Sequence, residues 1–237
     1  MEKIVYALWR SPEEIRERFN SRWLNETAPA LSDHAHAVRL NIQDSEVLDG
    51  NSPRAENTKP AIEAVVQLWV DTAHIEVRRQ IDEVVYGSTL MAQSWLVSES
   101  TPIVNQTNVV TAGERTPGFS QIVFLGLPPR ITWAAWQEAW QTHHTEPAIE
   151  TQSNFEYHQN LIVRPLTYGA APYVAMVEEC FPIEALNNPA IYFDAPDDPA
   201  KLEANTKRMM DSVARFIDHD RMDCFPTSQF DVKKLFA

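Results

Sequence analysis

Hydrophobic and polar positions along the chain alternate in blocks that change period. Lys3–Trp9 is a short apolar run with Tyr6 and β-branched neighbours, the signature of a strand. Ser11-Pro12-Glu13-Glu14 follows it, with Ser at a capping position, Glu three residues on and Pro at the first helical position. Ile15, Phe19 and Trp23 then recur every four residues and predict one apolar stripe of a helix that Pro29 should end. Residues 37–44 alternate as a second strand, 63–70 read as a third, 72–86 as a helix and 89–97 as a fourth strand. The predicted order is βαββαβ.

After a stretch rich in Ser, Thr, Asn and Pro, the same order begins again. Residues 121–127 read as a strand, and 132–144 as a helix carrying Trp133, Trp136 and Trp140 at helical spacing. Strands are expected over 155–163 and 173–181, a helix over 201–217 and a last strand over 222–232. The two series superpose at an offset of 117 residues from the first strand through the second: Val5 falls on Ile122, Phe19 on Trp136 and Trp23 on Trp140. The expectation is an α+β protein with an N-terminal half over residues 1–99, a linker over 100–117 and a C-terminal half over 118–237. Each half is ferredoxin-like, with one sheet face under its helices and the other needing a cover. The natural cover is the other half, since Val65-Val66-Gln67-Leu68-Trp69-Val70 and Tyr173-Val174-Ala175-Met176-Val177 are apolar on both faces.

Period-two alternation then assigns side chains to a cavity between the sheets. In the second strand Val38, Leu40 and Ile42 belong under the helices, which sends Arg39, Asn41 and Gln43 to the inner face. The offset brings Glu156, His158 and Asn160 to the same face of the second half. Six polar groups around an apolar space have the composition of a small-molecule site, although outward twist of the strand would leave them solvated. His158 is the candidate acid/base because imidazole exchanges protons near neutral pH, with Glu156 placed to orient it. His144, at the end of the second half's first helix, is a further catalytic candidate or a helix-capping cation. Glu178 and Glu179 interrupt an apolar strand, so one of them must face an interior and needs a partner such as Arg39 or His158.

Composition narrows the function classes. A formal charge of −13 with no basic cluster larger than a pair argues against nucleic acid and anionic membranes as partners. No run is apolar enough to span a bilayer, and the N-terminus lacks the pattern of a secretion signal, which points to the cytoplasm. Six glycines leave no dinucleotide fingerprint, and Phe119 stands where a phosphate loop after Gly113 and Gly118 would need Lys. His34 and His36 lack a third ligand, so neither a metal nor a cofactor is expected. Cys180 and Cys224 fall on strands about 9 to 10 Å apart and should stay unpaired.

Phe19-Asn20-Ser21-Arg22-Trp23 followed by Thr27-Ala28-Pro29 resembles the first-helix motif of the EthD-like family of dimeric α+β barrels, with Thr in place of the motif histidine. Trp136 and Trp140 followed by His144 and Pro147 resemble it again, keeping the histidine and displacing the proline by one. Tyr157-His158-Gln159-Asn160 and Gln67-Leu68-Trp69-Val70 are similar to its second and third strands. The resemblance implies a tandem α+β barrel in one chain, with any site in the second half. It also implies acid/base chemistry on a hydrophobic or aromatic metabolite by a lyase, isomerase or cofactor-independent oxygenase. His158, His144 and Glu156 would then be catalytic, and Arg39, Asn41, Gln43 and Asn160 would bind the substrate. A non-catalytic small-molecule-binding barrel is the alternative, and a homodimer stays open.

Overall fold

A computed structural model describes residues 1–235. The first half comprises β1 (Glu2–Trp9), α1 (Arg16–Arg22), α2 (Ala28–Leu31), β2 (Ala37–Ile42), the short β3 (Ala55–Glu56), β4 (Ala64–Val70), α3 (Ile75–Gly87) and β5 (Met91–Ile103). The second comprises β6 (Phe119–Gly126), α4 (Trp133–Gln137), α5 (Thr145–Thr151), β7 (Glu156–Pro165), β8 (Tyr173–Phe181), α6 (Pro189–Tyr192), α7 (Pro199–Val213) and β9 (Met222–Lys233). Each half has the expected ferredoxin-like order, β2-β4-β1-β5 and β7-β8-β6-β9. The halves join edge to edge through β5–β7 and β2–β9, so eight antiparallel strands close a barrel and β3 adds to the margin of β9.

Closure needs curvature, and register shifts supply it at both seams. β5 runs on to Ile103 to reach β7, so the connection between the halves is shorter than residues 100–117 suggest. Gly118 enters β6 at φ 99°, where a Cβ would stand 2.1 Å from the carbonyl oxygen of Phe181, a position only glycine fills.

Outside the barrel, the helices of the first half cover its sheet. Val38, Leu40 and Ile42 pack with Phe19, Trp23, Leu31 and Leu68 against its helices, and each large side chain buried there contributes about 1.5–3 kcal/mol. The first helix differs from its sequence expectation at both ends. Ser11 closes a turn through bonds to the Glu13 and Glu14 amides, the helix starts at Arg16, and Ile15 stays exposed. Pro29 does not end it either: a π turn over Trp23–Thr27 lets the chain pass the residue that lacks an N–H and continue into α2. The second half repeats the device, with a π turn over Glu138–His144 ahead of Pro147 in α5.

Inside, Trp9, Val65, Trp95, Phe124, Met176 and Phe225 fill one end of the barrel. The other end is polar.

Candidate functional site

Two cavities flank the sheet of the second half, one at the polar mouth of the barrel and one between the sheet and its helices. Glu178 and Glu179 divide between them, because neighbouring residues of β8 point to opposite faces.

Glu178 faces the lumen. Its carboxylate accepts from Arg39 at 3.1 Å, Asn41 at 2.7 Å, Gln67 at 2.8 Å, Ser120 at 3.0 Å and Gln229 at 2.9 Å. Arg39 also meets Glu156 at 2.9 Å and Asp231 at 2.7 Å. His158 sits between two carboxylates, Glu156 at 2.7 Å and Glu99 at 3.1 Å, and Glu99 in turn holds Lys3 at 2.6 Å. Charges of alternating sign thus run across both seams of the barrel. Burial opposes the charge on His158, but its two carboxylate partners outweigh burial and raise its pKa. Burial likewise opposes ionisation of Glu156, yet Arg39 and His158 bring it down to about 2. The imidazole is therefore held as a cation with both N–H groups engaged.

Above this network lies a cavity of about 380 Å³ that Arg39, Glu156 and His158 help to line, roofed by Val104, Val109 and Val110 of the inter-half connection. The other inner-face residues lie apart from it. Asn41 is deeper, on Glu178. Gln43 donates to the carbonyl of Ile62 and accepts from Arg54. Asn160 is fully buried, and among the described residues neither amide atom has a hydrogen-bond partner.

His144 is on the opposite side of the sheet from His158 and does not reach the barrel mouth. The π turn carries it beneath α7, where its Nδ1 is 3.0 Å from Ser212 Oγ and its ring packs 4.8 Å from Phe216. It is buried, and among the described residues it has no acidic partner, so desolvation lowers its pKa to about 4 and the helix-capping cation is not formed. The ring borders a second cavity of about 150 Å³ with Trp140, Tyr157, Glu179, Tyr192 and Phe216. Pro53 of the first half completes its wall, delivered by the excursion of residues 43–63. A space of this size accommodates one benzene ring.

Glu179 was not assigned to a site by its sequence, although the Glu-Glu break in the apolar strand was the signal. It keeps some accessible surface because it borders the cavity, yet the aromatic surroundings desolvate it. Its pKa rises to about 7, against the one hydrogen bond it accepts, from Asn154 at 2.9 Å. The carboxyl is poised to give or take a proton at neutral pH. Gln152 also borders the cavity, with its Oε1 buried and, among the described residues, without a hydrogen-bond partner. Among the described residues no group of three His, Cys, Asp or Glu side chains is placed to hold a metal ion, and no helix is long and apolar enough to cross a membrane.

No protein-family model matches the chain, and no curated protein matches it at a significant level. Among solved structures it is similar in fold to an anthrone oxidase-like protein, at 9% identity over 100% of this chain and 94% of the other, with a TM-score of 0.53. A candidate monooxygenase from Lactobacillus acidophilus NCFM aligns at 6% identity over 98% of this chain and 96% of its own, TM-score 0.47. Another from Fusobacterium nucleatum subsp. nucleatum aligns at 8% identity over 98% and 97%, TM-score 0.48. The first of these likenesses shows a shared α+β barrel fold, and at this identity it shows the fold alone.

Proposed function

We propose that the chain is an acid/base enzyme of the EthD-like type that handles a small, uncharged aromatic or hydrophobic metabolite in the cavity of its second half. The observation that supports this most directly is Glu179, a carboxyl with a pKa of about 7 in an apolar space the size of one aromatic ring. In this reading the Glu179 carboxylate takes a proton from an acidic C–H or O–H of the substrate and returns it later to another position. His144, neutral at physiological pH, offers its Nε2 as a hydrogen-bond partner to the substrate oxygen. Gln152 Oε1 accepts from a second hydroxyl. Proton return would make the reaction an isomerisation or the deprotonating step of a lyase or cofactor-independent oxygenase. The histidine of the family-like helix motif is His144, and its position beside the same cavity supports this reading.

A second reading puts the chemistry at the barrel mouth, with His158 as acid, Glu156 orienting it and Arg39 on the substrate; Asn41, Gln43 and Asn160 lie too far from that cavity to join them. The larger volume there favours it. The full engagement of His158 by two carboxylates weighs against it.

Resorcinol, a single-ring probe with exchangeable ring hydrogens, tests both. In deuterated buffer at pH 7 the protein should accelerate ring exchange, and Glu179→Gln should remove the acceleration. Loss of exchange in His158→Gln but not in Glu179→Gln transfers the chemistry to the mouth. Binding of resorcinol without exchange makes the chain a binding protein.

A further inference from the structure

The barrel mouth carries an unbalanced charge that the acid/base reading does not use. On its floor every cation faces carboxylates: Lys3 meets Glu99, His158 meets Glu99 and Glu156, and Arg39 meets Glu156, Glu178 and Asp231. At its rim the situation reverses. Lys233 and Lys234 both line the cavity, and among the described residues neither ammonium has a carboxylate within salt-bridge distance. Lys233 donates to the backbone carbonyls of Ser32 and Ala35, each at 2.8 Å, and Lys234 to that of Val110. An ammonium has three donors, so each lysine is fixed in place by neutral acceptors and keeps donors for a ligand. Fixing them in advance removes much of the side-chain entropy that binding would otherwise cost.

The roof is apolar. Val104 and Val109 are 61% and 65% exposed, on the connection that leans over the mouth, and Ala37 and Val110 continue the surface. The volume of about 380 Å³ suits a small ligand. Glu99 and Asp231 keep about a fifth to a quarter of their side-chain surface exposed at the floor, so a negative group is directed away from the floor and toward the rim. Although the chain carries −13, charges beyond about 8–10 Å are screened at physiological salt, and at the mouth the two lysines tip a floor with one more carboxylate than cation to a slight positive excess concentrated at the rim.

From this juxtaposition we propose that the barrel mouth binds an amphipathic monocarboxylate, with its acid group on Lys233 and Lys234 and its apolar body under Val104, Val109 and Val110. The site is separate from the Glu179 cavity and does not depend on the proton chemistry proposed there.

Calorimetric titration with octanoate, and with octan-1-ol as its uncharged counterpart, tests the assignment on the full chain. Octanoate should bind at least tenfold more tightly than the alcohol. Raising salt from 0.15 to 0.5 M should narrow the gap, and Lys234→Gln should weaken octanoate while leaving octan-1-ol unchanged. Because Lys233 also ties two carbonyls, Lys233→Arg serves beside Lys233→Gln: the arginine variant should retain binding and the glutamine variant lose it. Glu179→Gln should leave octanoate affinity as it was. The proposal is overturned by equal affinity for acid and alcohol, by failure of octanoate to bind at millimolar concentration, or by lysine variants that bind like the wild type. It is overturned equally by loss of octanoate binding in Glu179→Gln, which would put the ligand in the other cavity.

Discussion

The two halves share a fold and differ in what lies between sheet and helices. In the first, Leu68 is fully buried among Phe19, Trp23 and Leu31, and Thr27 ends the π turn. In the second, β8 pairs with β6 as β4 pairs with β1, so Glu179 stands where Leu68 stands, and His144 stands where Thr27 stands. The connection from the third strand to the second helix also differs. Residues 71–74 suffice in the first half, whereas residues 182–198 of the second form a strap that brings Tyr192 and Phe193 over a cavity. The strap is anchored from the first half, where Asn51 bonds Asn187 and Gly50 lies so close to Leu186 that a Cβ would clash at 2.4 Å. Around Leu68 the first half is thus closely packed, whereas the second keeps a largely apolar cavity beside the equivalent Glu179.

The contrast is broken most severely by Leu68→Glu, which puts the second half's carboxyl into the packed half. With no cavity to receive it, the substitution should cost about 4 kcal/mol or more in urea unfolding. A loss below about 1 kcal/mol would show that the first half also has room.

The reverse exchange, Glu179→Leu, should stabilise the protein above neutral pH. The folded-state pKa of about 7 lies above the unfolded value near 4.5, so the folded state binds more protons between them. Wild-type stability should therefore fall as pH rises from about 4.5 through 7, by about 3 kcal/mol in all. Glu179→Leu should flatten that limb in a series of unfolding midpoints, and an unchanged slope would remove Glu179 as its source.

His144 works in the opposite direction. Its folded pKa of about 4 is below the unfolded value of 6.5. Its contribution is present above pH 6.5 and lost as pH falls toward 4, by about 3 kcal/mol. In His144→Leu that acid limb should shrink, whereas Thr27→Val in the first half should leave it alone.

The smallest effect is expected at His158, where the halves meet. Its raised pKa gives stability that is complete below 6.5 and lost as pH rises through the folded value. His158→Gln should cost about 1–2 kcal/mol at pH 6, since Glu99 and Glu156 keep Lys3 and Arg39 as partners. A constant deficit from pH 6 to pH 9 would mean that the ring matters for packing and not for its charge.

Much of this architecture is legible in the order of residues. Alternation in β2 separates Val38, Leu40 and Ile42 from Arg39 and Asn41, because a strand sends successive side chains to opposite faces. The similar order of elements at an offset of 117 residues anticipates two halves of like strand order, and two apolar faces on the third strands ask for a shared interior. Opposite strands also keep Cys180 and Cys224 as free thiols. The Glu178-Glu179 pair announces that carboxyls enter the interior. What each meets there is a property of the assembled fold. Arg39 reaches Glu156 and Glu178 only because β2 closes on β9, and the charges of His158 and Glu179 are set by neighbours distant in sequence. Local pattern records which face a side chain takes, since that depends on backbone geometry. Desolvation and charge pairing depend on all the atoms brought within a few ångströms, so only the tertiary structure decided that one glutamate is a locked ion and its neighbour a group poised at neutral pH.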